Sequence, residues 1–139
     1  MQPNQPRYTA ALYMRLSKDD DSKAESASIK TQRAMLRSYA EENGFIVYDE
    51  FVDDGWSGTN FDRPAFKRMI EAIEQKRVNL VITKDLSRLG RDYITTGQYT
   101  ELYFPSKGVR YIAINDGYDS AMPFDDIVPF KNVIKSTLF

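Results

Sequence analysis

Histidine and cysteine are both missing from this 139-residue chain. Without histidine there is no Ser-His-Asp hydrolysis, no histidine phosphotransfer and almost no zinc enzymology. Without cysteine there is no disulfide, thiolate nucleophile or thiolate metal site. Carboxylate, lysine, arginine, tyrosine and serine chemistry remain. The lack of cysteine agrees with a reducing compartment, and a cytoplasmic protein is expected. No apolar run approaches the ~20 residues of a membrane span, and the start, Met1 to Arg7, has two prolines and no apolar core, unlike a signal peptide. A strong charge is lacking too: 19 Lys and Arg against 20 Asp and Glu leave a formal net charge of -1. A nucleic-acid partner would therefore require cations gathered locally, or affinity borrowed from another domain.

What the chain does contain, 42% hydrophobic and 28% charged residues, suffices for one globular domain with a proper core. Residues 1–7 read as a disordered lead-in and Tyr8 to Ser17 as a first strand. An acidic stretch from Lys18 to Ser26 has no apolar periodicity and reads as a mobile loop. A helix starts at Ser26 or Ser28, with Ile29, Met35, Leu36, Tyr39 and Ala40 as its stripe and Asn43-Gly44 as its stop. Phe45 to Val52 is a second strand, followed by a turn-rich segment from Asp53 to Asn60. Asp62 is placed to cap a helix that carries Pro64 in its first turn and buries Phe66, Met69, Ile70 and Ile73. Val78 to Thr83 reads as a strand covered on both faces. A helical stretch from Tyr93 to Ser106 and a fourth strand from Val109 to Ile114 follow, and Asn115-Asp116-Gly117 turns the chain. From Phe124 onward, Ile127, Phe130, Ile134 and Leu138 recur near helical spacing. Alternating strands and helices predict an α/β fold: an open, mostly parallel sheet with helices on both faces.

Ligands in such sheets bind beyond the carboxyl ends of the strands. Ser17, Ser57 and the segment Lys84 to Arg91 each follow a different strand, so serines and arginines gather at one edge. On an extended strand Tyr13, Arg15 and Ser17 share a face, and a guanidinium beside a hydroxyl suits a phosphate held against a nucleophile. Arg88 and Arg91, three apart, lie on one side if their segment opens a helix. Each residue alone has a plainer reading. A serine after a strand is usually a turn or cap residue, an arginine is usually a surface ion-pair partner (here of Asp85 or Asp92), and Gln32 is an ordinary polar helix residue. The aspartate runs at 19–21, 53–54 and 125–126 invite comparison with magnesium sites, although such runs are more often solvated loops.

Taken together and in order, Tyr13-Met14-Arg15-Leu16-Ser17, Ser28-Ile29-Lys30-Thr31-Gln32, Trp56-Ser57-Gly58-Thr59, Arg63-Pro64-Ala65-Phe66 and Asp85-Leu86-Ser87-Arg88-Leu89-Gly90-Arg91-Asp92 resemble the serine recombinases of the resolvase/invertase superfamily. The acidic loop and the Trp-Ser-Gly-Thr form are closer to the large serine integrases and transposases of bacterial and phage mobile elements. The resemblance implies site-specific DNA recombination without metal, ATP or other cofactor: Ser17 attacks the scissile phosphodiester and stays joined to the 5′-phosphate. It further implies that Arg15, Arg88 and Arg91 bind the nonbridging oxygens, and that Tyr13, Gln32, Ser57, Arg63 and Ser87 bind or support the phosphate. Small resolvases commonly carry aspartate where Ser87 stands, so no carboxylate role carries over there. It also implies a catalytic domain over 8–122, followed at 123–139 by the start of a long, truncated helix that builds dimers and tetramers. DNA binding by this piece alone is then weak and without sequence preference.

Two other readings remain open at this level: a metal-dependent phosphoesterase or nuclease using the aspartate pairs, and a non-catalytic oligomerisation module.

Overall fold

The computed structural model describes residues 7–17 and 28–122. The acidic loop 18–26, the C-terminal stretch 123–139 and all of the lead-in but Arg7 lie outside them. Strands β1 (Thr9–Leu16), β2 (Ile46–Asp54), β3 (Leu80–Thr83), β4 (Arg110–Ala113) and β5 (Tyr118–Asp119) form one sheet in the order β2-β1-β3-β4-β5. The first four are mutually parallel, and β5 pairs antiparallel with β4. The chain leaves β1 toward one edge and returns past it to β3, so the strand order reverses between β1 and β3. With right-handed crossovers, that reversal puts the helix after β1 and the helix after β2 on opposite faces.

Helix α1 (Ile29–Glu42) begins at Ser28, whose hydroxyl accepts from the Thr31 amide at 3.1 Å, and buries Gln32, Leu36 and Ala40. It covers the face that carries Ala10, Leu12, Met14, Leu80, Ile82 and Ile112. Helix α2 (Pro64–Glu74) covers the other face, packing Phe66, Met69 and Ile73 against Ala11, Tyr13, Val81 and Tyr111. Each of those large side chains contributes about 1.5–3 kcal/mol through burial. Because both faces are covered, β3 is buried at all four positions.

Three details differ from the sequence reading. Strand β2 runs on through Asp53 and Asp54, which pair with Arg15 and Leu16 of β1; the turn begins only at Gly55, whose amide bonds the Leu16 carbonyl at 2.5 Å. Helix α2 is not capped by Asp62, which is exposed and pairs with Lys67. The amides of Ala65 and Phe66 are taken, each at 2.9 Å, by the buried carboxylate of Asp53 across the layer. Finally, α3 is a single turn (Leu86–Leu89) that ends at Gly90 in extended backbone, so Arg91 is not on its face. The helical run from Tyr93 to Ser106 is present as α4 (Tyr93–Gly97), a π-helical stretch (Gln98–Tyr103) and α5 (Phe104–Ser106). The wider turns directly precede Pro105, which has no N–H to donate and whose ring crowds a tighter helix.

Candidate functional site

Ser17 directly follows β1 and is buried. The carbonyl just before it, that of Leu16, receives the amides of both Gly55 and Trp56, at 2.5 and 3.2 Å, which ties the end of β1 to the loop after β2. Beside it, Gln32 reaches from the first turns of α1 and pairs its side-chain amide with the peptide of Arg15: Arg15 N–H to Oε1 at 3.3 Å and Nε2 to the Arg15 carbonyl at 3.0 Å. Gln32 therefore fixes the strand end by which Ser17 is carried. Gln32, Arg15 and Arg88 thus meet at the end of the strand that leads into Ser17, where the strand order reverses, the usual ligand position of an open α/β sheet.

Arg15 is fully buried. Its guanidinium faces oxygen atoms of the backbone: Nε donates to the Arg88 carbonyl at 3.2 Å, Nη2 to Ser87 at 2.6 Å and Nη1 to Trp56 at 3.0 Å. Burial, followed by the positive charges of Arg63, Arg88 and Arg91, draws its pKa down to about 10, so it stays protonated at neutral pH. Arg88 is buried as well. It donates from Nη1 to the Arg15 carbonyl at 3.0 Å, and its Nε lies 3.8 Å from Asp85. Asp85 also accepts from the Ser87 hydroxyl at 2.5 Å. Ser87 thus contributes a carbonyl to Arg15 and a hydroxyl to Asp85.

Arg91 is exposed and arrives by another route. Extended Gly90 turns the chain out of α3, and the Arg91 amide bonds the Gly58 carbonyl at 2.7 Å. Gly58 has to be glycine for this approach. A Cβ there would stand 2.7 Å from Arg91 Cγ and 2.8 Å from Arg15 Nη2. Ser57, its neighbour, is exposed and closes a local turn, accepting from the Thr59 amide at 3.1 Å and lying 2.8 Å from the Thr59 hydroxyl.

Arg63 and Tyr13 form the inner support. Arg63 is fully buried, donates to the carbonyls of Asn60 and Leu89 (both 2.6 Å) and to the Tyr13 hydroxyl (2.7 Å), and lies 4.7 Å from the Phe61 ring centroid. Tyr13 in turn donates to Asp53 at 2.7 Å. Burial and the adjacent Asp53 carboxylate push the Tyr13 phenol well above its usual pKa, although Arg63 opposes them, so the phenol keeps its proton. Asp53 is the residue that sequence reasoning placed in a turn and offered as half of a metal pair. Both of its oxygens are instead occupied by helix amides and by Tyr13. Among the described residues no three acidic side chains gather where a metal ion could sit.

The carbonyls of Trp56, Ser87 and Arg88 are the participants that sequence reasoning did not single out, while Asp53, Asp85 and Gly58 were named there in other roles. The carbonyls leave no trace in residue type. Asp85, named from the sequence only as an ion-pair partner, also caps the turn that carries Arg88, accepting from the Arg88 amide at 3.2 Å. Four guanidinium groups (Arg15, Arg63, Arg88, Arg91) gather at this edge, with the carboxylates of Asp53 and Asp85 among them, and guanidinium groups suit a phosphate-like anion.

The family model described as Resolvase, N terminal domain, matches residues 10–134. Among solved structures, the N-terminal catalytic domain of TP901-1 integrase is 30% identical, with a TM-score of 0.76 over 94% of this chain and 98% of that one. A resolvase family site-specific recombinase from Streptococcus pneumoniae is 27% identical, with a TM-score of 0.66 over 94% and 88%. An uncharacterized immunity region protein 3 of Bacillus phage phi105 is 32% identical over 75 residues, 54% of this chain and 89% of that protein.

Proposed function

Because the chain belongs to the resolvase N-terminal domain family, the catalytic domain of serine recombinases, we propose that it cuts and rejoins DNA at recombination sites through Ser17. The observation that carries this reading is that Arg88, bonded to Arg15 two residues before Ser17, and Ser17 itself follow the carboxyl ends of β3 and β1 where the strand order reverses. A single serine would not carry it.

In the proposed step Ser17 Oγ attacks the scissile phosphorus. The Oγ–P bond forms, the P–O3′ bond breaks, and the proton of Oγ is accounted for on the departing 3′-hydroxyl. The 5′-phosphate remains on Ser17 as an ester, and attack by the 3′-hydroxyl of an exchanged strand reverses the reaction. Neither step consumes a nucleotide or needs a metal. The five-coordinate transition state carries extra negative charge, and the fixed positive charges at this edge stabilise it without reorganising. Arginine is too basic to serve as an ordinary general base. Its contribution is the field that favours the serine alkoxide and the anionic phosphorane.

DNA is the substrate in this reading, and the protein works as a homo-oligomer, dimeric at rest and tetrameric when two sites are paired, in the cytoplasm of a bacterium carrying a mobile element. The relatives in TP901-1 and phage phi105 support that setting. Labelled DNA carrying the recombination site, incubated with the protein in chelator and run on a denaturing gel, tests it. A protein–DNA adduct present with the natural serine and absent in Ser17→Ala is expected, and an adduct that forms only with added magnesium contradicts the reading.

A further inference from the structure

We infer that the indole of Trp56 packs against a nucleoside next to the scissile phosphate, so that the loop after β2 gives DNA an apolar contact beside the charged ones. The inference deepens the proposed function and rests on it for the place of the phosphate; the placement of Trp56 rests on geometry.

Tryptophan occurs once in the chain, and Trp56 is 37% exposed just after β2. The aromatic rings on either side of it in sequence, Phe51, Phe61 and Phe66, belong to the core. Trp56 is outside, yet its backbone is held fast. Gly55, at a φ of +87°, turns the chain out of β2. The Trp56 amide then donates to the Leu16 carbonyl at 3.2 Å, and the Trp56 carbonyl accepts from Arg15 Nη1 at 3.0 Å. Both backbone groups of Trp56 are thereby fastened to the end of β1, at the residue that precedes Ser17. Two positions further on, the Gly58 carbonyl receives the amide of exposed Arg91 at 2.7 Å. One short loop thus sets an exposed indole near the serine and near a guanidinium.

Every phosphate within a DNA strand carries a nucleoside on either side, so a phosphodiester seated at Ser17 brings nucleosides to this loop. Indole is a broad apolar face, and stacking on it tolerates any base. Because the loop is already fixed, the contact requires little further ordering of the protein.

Trp56 is the only tryptophan, so its emission reports this contact alone. A short DNA duplex added at low salt should quench it, and inorganic polyphosphate, which carries charge without nucleosides, should not. Equal quenching by both, or by neither, overturns the inference. Emission that changes with protein concentration before DNA is added would assign the indole to an interface between copies and overturns it too. Trp56→Ala should weaken duplex binding roughly tenfold, and Trp56→Phe less. The slope of binding against salt should stay the same in Trp56→Ala, since an indole releases no counterions. Undiminished binding, or a flatter slope that would mean displaced arginines, contradicts the contact. Ser17→Ala separates the two readings, because quenching should persist there while the covalent adduct is lost. Quenching without an adduct in the natural protein would sink the proposed chemistry and leave the contact standing; an adduct without quenching does the reverse.

Discussion

The phenol of Tyr13 donates to the carboxylate of Asp53 at 2.7 Å inside the protein, and the same carboxylate holds the first amides of α2. Strand β1, strand β2 and α2 are thereby joined at one oxygen pair, directly beneath the arginines.

Asp53→Asn should cost about 2–4 kcal/mol of stability. The amide turns an NH2 toward groups that also donate, and it removes the negative charge from the helix N-terminus. Tyr13→Phe should cost about 1–2 kcal/mol. Because the two side chains share a bond, the double variant should lose less than the sum in urea denaturation. Fully additive losses would mean that the pair does not interact.

Gln32→Leu removes the partner of the Arg15 amide in a buried place. A loss of about 1–3 kcal/mol follows. The effect on DNA cleavage should exceed that of an equally destabilising change on the opposite face of the sheet, such as Ile73→Val in α2, since Gln32 fixes the strand end that carries Ser17. Equal cleavage in the two variants at matched stability would argue against that role.

Glu50 offers a pH test. Burial alone would raise its pKa, but hydrogen bonds from Arg33 and Arg37 outweigh this and hold it below the usual 4.5. A carboxylate lowered on folding contributes stability that is present above the unfolded value and lost as pH falls through the folded one. The arginines are about half exposed, so the contribution is about 0–1 kcal/mol. The stability gap between the natural chain and Glu50→Gln should therefore be widest near neutrality and close below pH 4.5, as read from urea midpoints.

Much of the fold was legible because it is written in local patterns. The Ser28 cap, the Phe66–Met69–Ile73 face and the apolar run of β3 each declare themselves within a few residues. The rest depends on partners distant in sequence. Asp53 caps a helix that starts 11 positions further on, so the nearer Asp62 looked like the cap. Strand β5 is two residues long and exists through β4 and the Arg110–Asp119 ion pair at 2.6 Å, with too little length to show a period. Arg88 and Arg91 were seen as a helical pair because their spacing allows it, but Gly90 takes an extended conformation that spacing does not encode. The residue types of the edge were readable, and their division between exposed Arg91 and buried Arg15, Arg63 and Arg88 was not.

Whether Ser17 carries the cut DNA end is decided by mass spectrometry. The protein is trapped with site DNA in chelator, the DNA is trimmed with nuclease, and the protein is digested to peptides. A nucleotide joined through its 5′-phosphate to the peptide containing Ser17 is expected, on that hydroxyl and on no other. A nucleotide found on Ser57, Ser87 or a tyrosine, or adducts undiminished in Ser17→Ala, would contradict it.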